Sequence, residues 1–189
     1  MSPVYVEILG TTKELIELNV HNESLFKSPA LQLTNAAELL GPLPPPRHFV
    51  EELVGGKMAY EIVAHPDKVE AWLLTPNVDE NGKEIPKANR TTAVKLTSSD
   101  AKSFSGILTD FNSYSWRGGK YCGTDFGVRL RFTGGNDIVE VMLCYDCDIL
   151  EVTHSGHTRQ RDFDPSHSNL VKAIQAVFPS DDAIKRLNP

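Results

Sequence analysis

No apolar run in these 189 residues approaches the roughly 20 that a membrane-spanning helix needs. The opening residues, MSPVYVEILGTTKELIEL, hold acids where a secretory leader would hold an apolar stretch, so the chain is expected to be soluble and cytoplasmic. Basic runs are missing as well. With 19 Lys and Arg against 25 Asp and Glu the net charge is −6. A surface of that sign repels phosphate backbones, which excludes nucleic acid as the expected partner. Cysteine is sparse: three residues are too few, in too long a chain, for a secreted disulfide scaffold. Gly-rich phosphate loops, GxSxG and HExxH are all lacking, and no carboxylate pair stands out, so the sequence leans away from an enzyme. Repeats and low-complexity tracts are absent.

The composition that remains, 40% hydrophobic and 23% charged, is that of an ordinary globular protein with enough apolar residues for a core. The clearest break is GPLPPPRHF, residues 41–49, whose four prolines fix φ and remove donors. It separates a segment over residues 1–45 from a domain over 46–189. Before the break, Val4, Val6 and Ile8 alternate as in a strand, TKELIELN suits either state, and TNAAELLG suggests a helical turn. After it, Pro46 is placed to open a helix that Gly55 and Gly56 close. A strand is expected over Val69–Leu74 and a turn at Asp79–Glu84. His65-Pro66-Asp67 is the tripeptide that J-domain co-chaperones use to touch their chaperone. The basic helix that precedes it there is missing here, so these read as turn residues. Helices are expected over 98–111, capped by Ser98 or Ser99, and over 165–178, capped by Asp164 with Pro165 in first position.

Residues 126–153 carry the strongest pattern. VRLRF and DIVEVML alternate with period two around TGGN, a hairpin signal. With Gly134-Gly135 as the turn, Arg129 faces Glu140 and Val128 faces Val141. A second hairpin closed at Tyr145-Asp146 sets Cys144 opposite Cys147 and Glu140 opposite Glu151, with Arg129 offsetting the repulsion. Val128, Leu130, Val139, Val141, Leu143, Leu150 and Val152 then share one face, and Arg129, Arg131, Glu140 and Glu151 the other. The expected fold class is α+β: an antiparallel meander covered on its apolar face by two or more helices.

The same register gathers Cys122, Cys144 and Cys147 at one end of the sheet. Three readings stay open. The thiols are structural, or they pair as a disulfide or redox switch, with Cys122 joined to either of the others, or they hold zinc. Zinc would have Cys122, Cys144 and Cys147 as ligands and no identified fourth. His154 lies roughly 23 Å down its strand from Cys147, and His48 or His167 would have to be delivered by the fold. A CxxC in a hairpin also lacks the helix N-terminus that activates a redox thiol.

The stretch CGTDFGVRLRF…VEVMLCYDCDILEV…DFDPSHSNLVKAIQAVFPSDD, with AHPDKVEAWLL before it, resembles a group of uncharacterised bacterial proteins with a GxxLRF…VxVxLC(F/Y)xC hairpin signature. The resemblance runs from about residue 60 to the end, and Tyr145 stands where the group has Phe. It implies that the three cysteines belong together and brings no activity with it. The function expected is therefore a soluble, non-catalytic binding domain with a protein partner. A thiol- or zinc-centred site at Cys122, Cys144 and Cys147 is the alternative.

Overall fold

The computed structural model describes residues 7–9, 17–19, 46–75, 88–116, 120 and 125–189. The expected strand positions Val4 and Val6, the helical turn in TNAAELLG, the 79–84 turn and Cys122 lie outside them. The chain divides into two units, residues 1–44 and 45–189. In the first, β1 (Glu7–Leu9) pairs antiparallel with β2 (Glu17–Asn19), Ile8 opposite Leu18.

The second unit is α+β. Its six-stranded sheet is antiparallel throughout, in the order β4-β3-β5-β6-β7-β8. The strands are β3 (Lys68–Leu73), β4 (Val94–Lys95), β5 (Val128–Gly134), β6 (Asp137–Cys144), β7 (Ile149–His154) and β8 (His157–Asp162). Five helices accompany them among the described residues: α1 (Pro46–Val54), α2 (Lys57–Ala64), α3 (Ser98–Thr109), α4 (His167–Val177) and α5 (Asp182–Lys185). No helix among the described residues is long and apolar enough to cross a membrane.

The core lies on one face of the sheet. Val128, Leu130, Val139, Val141, Leu143, Leu150 and Val152 are all buried there, as the alternation implies. They pack with Val50 and Val54 of α1, Val63 of α2, Phe104 and Leu108 of α3, and Leu170, Val171 and Ile174 of α4. Against the sheet, α2 packs on β5 and β6, and α1 on β7 and β8. Helix α3 lies against α2, and α4 against α3. α2 was not expected: the Gly55-Gly56 pair that ends α1 also opens it, both glycines holding φ above +100°.

Both hairpin registers differ from the expected ones by two residues. The first turn is Gly135-Asn136, with Gly134 opposite Asp137 and Arg131 opposite Glu140. Gly135 carries the positive φ of 59° the tight turn needs. The second connection is four residues long, Tyr145 to Asp148, so Cys144 faces Ile149 rather than Cys147. Glu140 faces Thr153 and Glu151 faces Met142, so no glutamate pair needs Arg129 as a neutraliser. Arg131 bonds Glu140 instead, at 2.8 Å. A shift of two keeps every side chain on its face, which is why the core assignment holds while the pairs do not. Strand β8, HTRQRD, escapes sequence reading because it is a polar edge strand.

The helix caps also differ. Thr97, not Ser98 or Ser99, caps α3, its hydroxyl accepting from the Asp100 N–H at 3.2 Å. α3 ends at Thr109, and Phe111 falls in a separate 3-10 turn over Phe111–Ser113. Asp164-Pro165-Ser166 forms another 3-10 turn, and α4 begins at His167. Asp164 is thus not a helix cap; its carboxylate is engaged elsewhere.

Candidate functional site

The tip of the β6–β7 hairpin is where the cysteine pattern pointed. Tyr145, Asp146, Cys147 and Asp148 form it, and Asp148 closes the turn at a φ of +54°, a conformation that Asp tolerates better than most residues. Cys144, the last residue of β6, is free and fully buried. Cys147 is disulfide-bonded and buried. The two sit in a small apolar cluster with Leu74, Phe126 and Ile149, separate from the main core. By alternation from Leu143, Cys144 points to the face of the sheet opposite the helices, and the cluster it joins there is apolar.

Around the tip the fold assembles a charged corner that the sequence did not announce. Lys120 is its centre. The Nζ donates to the Cys147 carbonyl at 3.1 Å and to Asp164 Oδ1, and it lies 3.3 Å from Asp162 Oδ2 and 3.9 Å from Asp148 Oδ2. On the other side of Asp148 stands His167, the first residue of α4. Its Nδ1 meets Asp148 Oδ1 and its Nε2 meets the Asn188 carbonyl at 2.9 Å. The ring also stacks on buried Phe163, with centroids 6.5 Å apart. His167, one of the two histidines that only the fold could deliver, is thus delivered. The other, His48, sits on α1 beside Glu52. His154 lies at the far end of the sheet, opposite Val139, with Nε2 2.9 Å from Asp137 Oδ2.

The electrostatics follow from this packing. Burial raises the Asp148 carboxyl, against the pull of His167, and a hydrogen bond with Asp164 raises it further. The Lys120 hydrogen bond holds Asp164 below the usual carboxylate range. Burial would push His167 down, but its bonds to Asp148 and the Asn188 carbonyl outweigh that and raise it. Burial works against Lys120 too, and is outweighed by Asp164 and Asp162. Asp148 and His167 thus each hold a proton more tightly than in the unfolded chain, and Asp162 and Asp164 lie against Lys120 as its acidic partners.

Chemically, the corner is closed on itself. Both nitrogens of His167 are engaged, and Lys120 is shared among carboxylates and a carbonyl. A disulfide consumes two cysteines and Cys144 is free, so with Cys147 oxidised a zinc ion would lose two of its three expected thiolates. Asp148 and His167, the nearest alternative donors, are spent on each other. Among the described residues no group of three or more His, Cys, Asp or Glu side chains is placed to hold a metal. Cys122 lies outside those residues.

The chain matches no family model, no curated protein and no solved structure.

Lys120, Asp148, Asp162, Asp164 and His167 span 48 positions, and no local motif joins them. The available signals were the acids of RDFDP and the Asp that follows the second cysteine of CYDCD. Both were legible as residues and neither as neighbours.

Proposed function

We propose that this chain is a non-catalytic binding domain that acts through a protein partner. One observation carries the reading: a close group of titratable side chains, the Lys120–Asp148–Asp162–Asp164–His167 corner, satisfies itself. A general base must present an open nitrogen or oxygen to substrate, and here those atoms tie β7, β8 and α4 together. On the face of the sheet away from the helices, half-buried Arg129 and Arg131 cover a buried Trp72. Trp72 lies beneath the guanidinium carbons of Arg129 and Arg131, at 4.7 and 5.2 Å from its ring centre. Arg and Trp together are the residue types that most often anchor a protein interface. Nucleic acid is no part of the proposal, given the −6 charge.

A second reading is favoured by the free Cys144 packed in one cluster with the oxidised Cys147. The Cys144 thiolate would attack the Cys147 sulfur, forming a Cys144–Cys147 bond. The former partner of Cys147 would leave as a thiolate, and the proton of Cys144 would pass to solvent.

The experiment separates the two. Peptide mapping without reductant is expected to recover one disulfide, Cys147 to Cys122, with Cys144 alkylated only after denaturation. Crosslinking in cell extract, wild type against an Arg129→Glu/Arg131→Glu variant, is expected to give a partner that the variant loses. Mixed recovery of Cys144–Cys147 links from native protein would favour thiol exchange, and a zinc ion bound per reduced chain would favour the metal site. Either result, with no partner lost, would overturn the binding reading.

A further inference from the structure

We infer that the outer edge of β8 receives an extended acidic segment of a partner protein as an added strand of the sheet. This rests on the binding reading above and names the partner's chemistry. Its surface is not the Arg129–Trp72–Arg131 face, so the two can fail separately.

The six-stranded sheet ends on β4 at one side and on β8 at the other. β4 has two residues, too short to template another strand, whereas β8 has six. The turn before β8, Ser155-Gly156, has positive φ at both residues, 49° and 77°, and is closed by the pair His154 and His157. In such a two-residue hairpin the closing pair is hydrogen-bonded, and bonded pairs then alternate along the ladder. His157, Arg159 and Arg161 therefore turn their N–H and C=O groups toward β7, and Thr158, Gln160 and Asp162 turn theirs outward. Two further bonds agree with this phase. The Phe163 N–H donates to the Asp148 carbonyl at 2.7 Å, and the outward Asp162 carbonyl accepts the Ser115 N–H at 3.0 Å. Thr158 and Gln160 are exposed, and their outward backbone groups have no partner among the described residues.

The chain itself begins to use this edge. Ser115 makes an antiparallel bridge to Asp162. In that register the next residue, Trp116, stands beside Arg161, and its ring centre lies 5.0 Å from the guanidinium carbon. Pairing at the edge thus already sets a side chain against a basic residue of β8.

Charge decides the occupant of the bare stretch. Arg159 stands opposite Val152 and Arg161 opposite Leu150, both core residues, so these arginines lie on the helix side of the sheet. Arg159 is exposed and has no ion pair among the described residues. On an added antiparallel strand, the residue opposite Arg159 takes a non-hydrogen-bonded position, where side chains come closest. In a second copy docked edge to edge, registers centred on Thr158, Arg159 or Gln160 put His157, Arg159 or Arg161 there, and basic groups collide. A glutamate or aspartate turns the same contact into attraction. The charge that keeps this edge from pairing with itself is the one an acidic strand satisfies.

The full chain would be followed by amide NMR and hydrogen exchange, with a blocked Thr-Val-Glu-Val-Glu-Val-Thr peptide and its Lys-for-Glu counterpart as probes. In the free chain the Thr158 and Gln160 amides are expected to exchange fast, and those of Arg159 and Arg161 slowly. The Glu peptide should shift and protect Thr158 and Gln160 saturably, and the Lys peptide should not. Arg159→Glu should weaken the Glu peptide by about tenfold or more and admit the Lys peptide, a gain that only a folded variant can show. Lys185→Glu, the same charge change on α5, should leave both peptides unaffected. Slow exchange of Thr158 and Gln160 in dilute free chain would overturn the proposal, because the chain would already cover its own edge. Protection that rises with protein concentration would overturn it in favour of a second copy, as would Glu-peptide binding that Arg159→Glu leaves intact in favour of another site. A crosslinked partner that depends on Arg129 and Arg131, with no peptide docking, would sink the edge and leave the binding reading standing.

Discussion

Val141 offers the most direct trial of the fold. It is 1% exposed at the centre of β6, flanked by Leu130 on β5 and Val152 on β7. Val141→Ala removes two methyl-sized groups, about 1.6 kcal/mol at about 0.8 each. An unrelaxed void would add about 1 kcal/mol, for a total of about 2–3. Val141→Asp loses the same contacts and buries a carboxylate with no partner, which costs several kcal/mol more. Against a typical domain stability of about 5–15 kcal/mol, that change is expected to leave much of the protein unfolded. The neighbour Glu140 is the control. Its side chain is 31% exposed and its pair with Arg131, 34% exposed, is worth no more than about 1 kcal/mol. Urea titrations followed by circular dichroism and by the fluorescence of Trp72 and Trp116 would measure all three, with unchanged slopes validating the comparison. Equal losses for Val141→Ala and Glu140→Ala would refute the face assignment, since one residue of slip exchanges the two faces.

His167 gives a pH signature. Its folded pKa lies above the 6.5 of the unfolded chain, so its bond to Asp148 stabilises fully below that value. The contribution is lost as pH rises through the folded value. The melting temperature gap between wild type and His167→Ala should therefore be larger at about pH 5.5 than at about pH 8.5, and a gap that grows with pH would refute the sign. Gly55 and Gly56 form an internal comparison. Both hold φ near +105°, where an added side chain is strained by about 1–3 kcal/mol. Only at Gly55 would the new Cβ also meet His154, 2.9 Å from its Cβ, whereas nothing lies within 4 Å of the Gly56 position. Gly55→Ala should accordingly lower the thermal midpoint more than Gly56→Ala, and the reverse order would place His154 elsewhere.

Alternation and punctuation alone determined the α+β class, the buried face of β5, β6 and β7, the start of α1 at Pro46 and the apolar stripe of α4. These are short-range properties: side-chain period, prolines that cannot continue a strand or helix, and apolar residues that must leave water. The exact pairing across each hairpin was decided by the turns. Placing the first turn at Gly135-Asn136 and giving the second four residues moved every partner by two without moving a side chain through the sheet. The edge strand β8 and the helix α2 were decided by neighbours, since HTRQRD has no apolar alternation and KMAYEIVA follows two glycines that read as an ending. The corner was beyond local pattern altogether. Lys120 meets Asp162 and Asp164 only because β8 returns beside β7, and His167 meets Asp148 only because α4 starts where that strand ends. A cleft at α3 has the same origin. Lys68, Lys95 and Lys102 are three unremarkable lysines in sequence, and they line one cleft because β4 pairs with β3 directly before the chain turns into the helix.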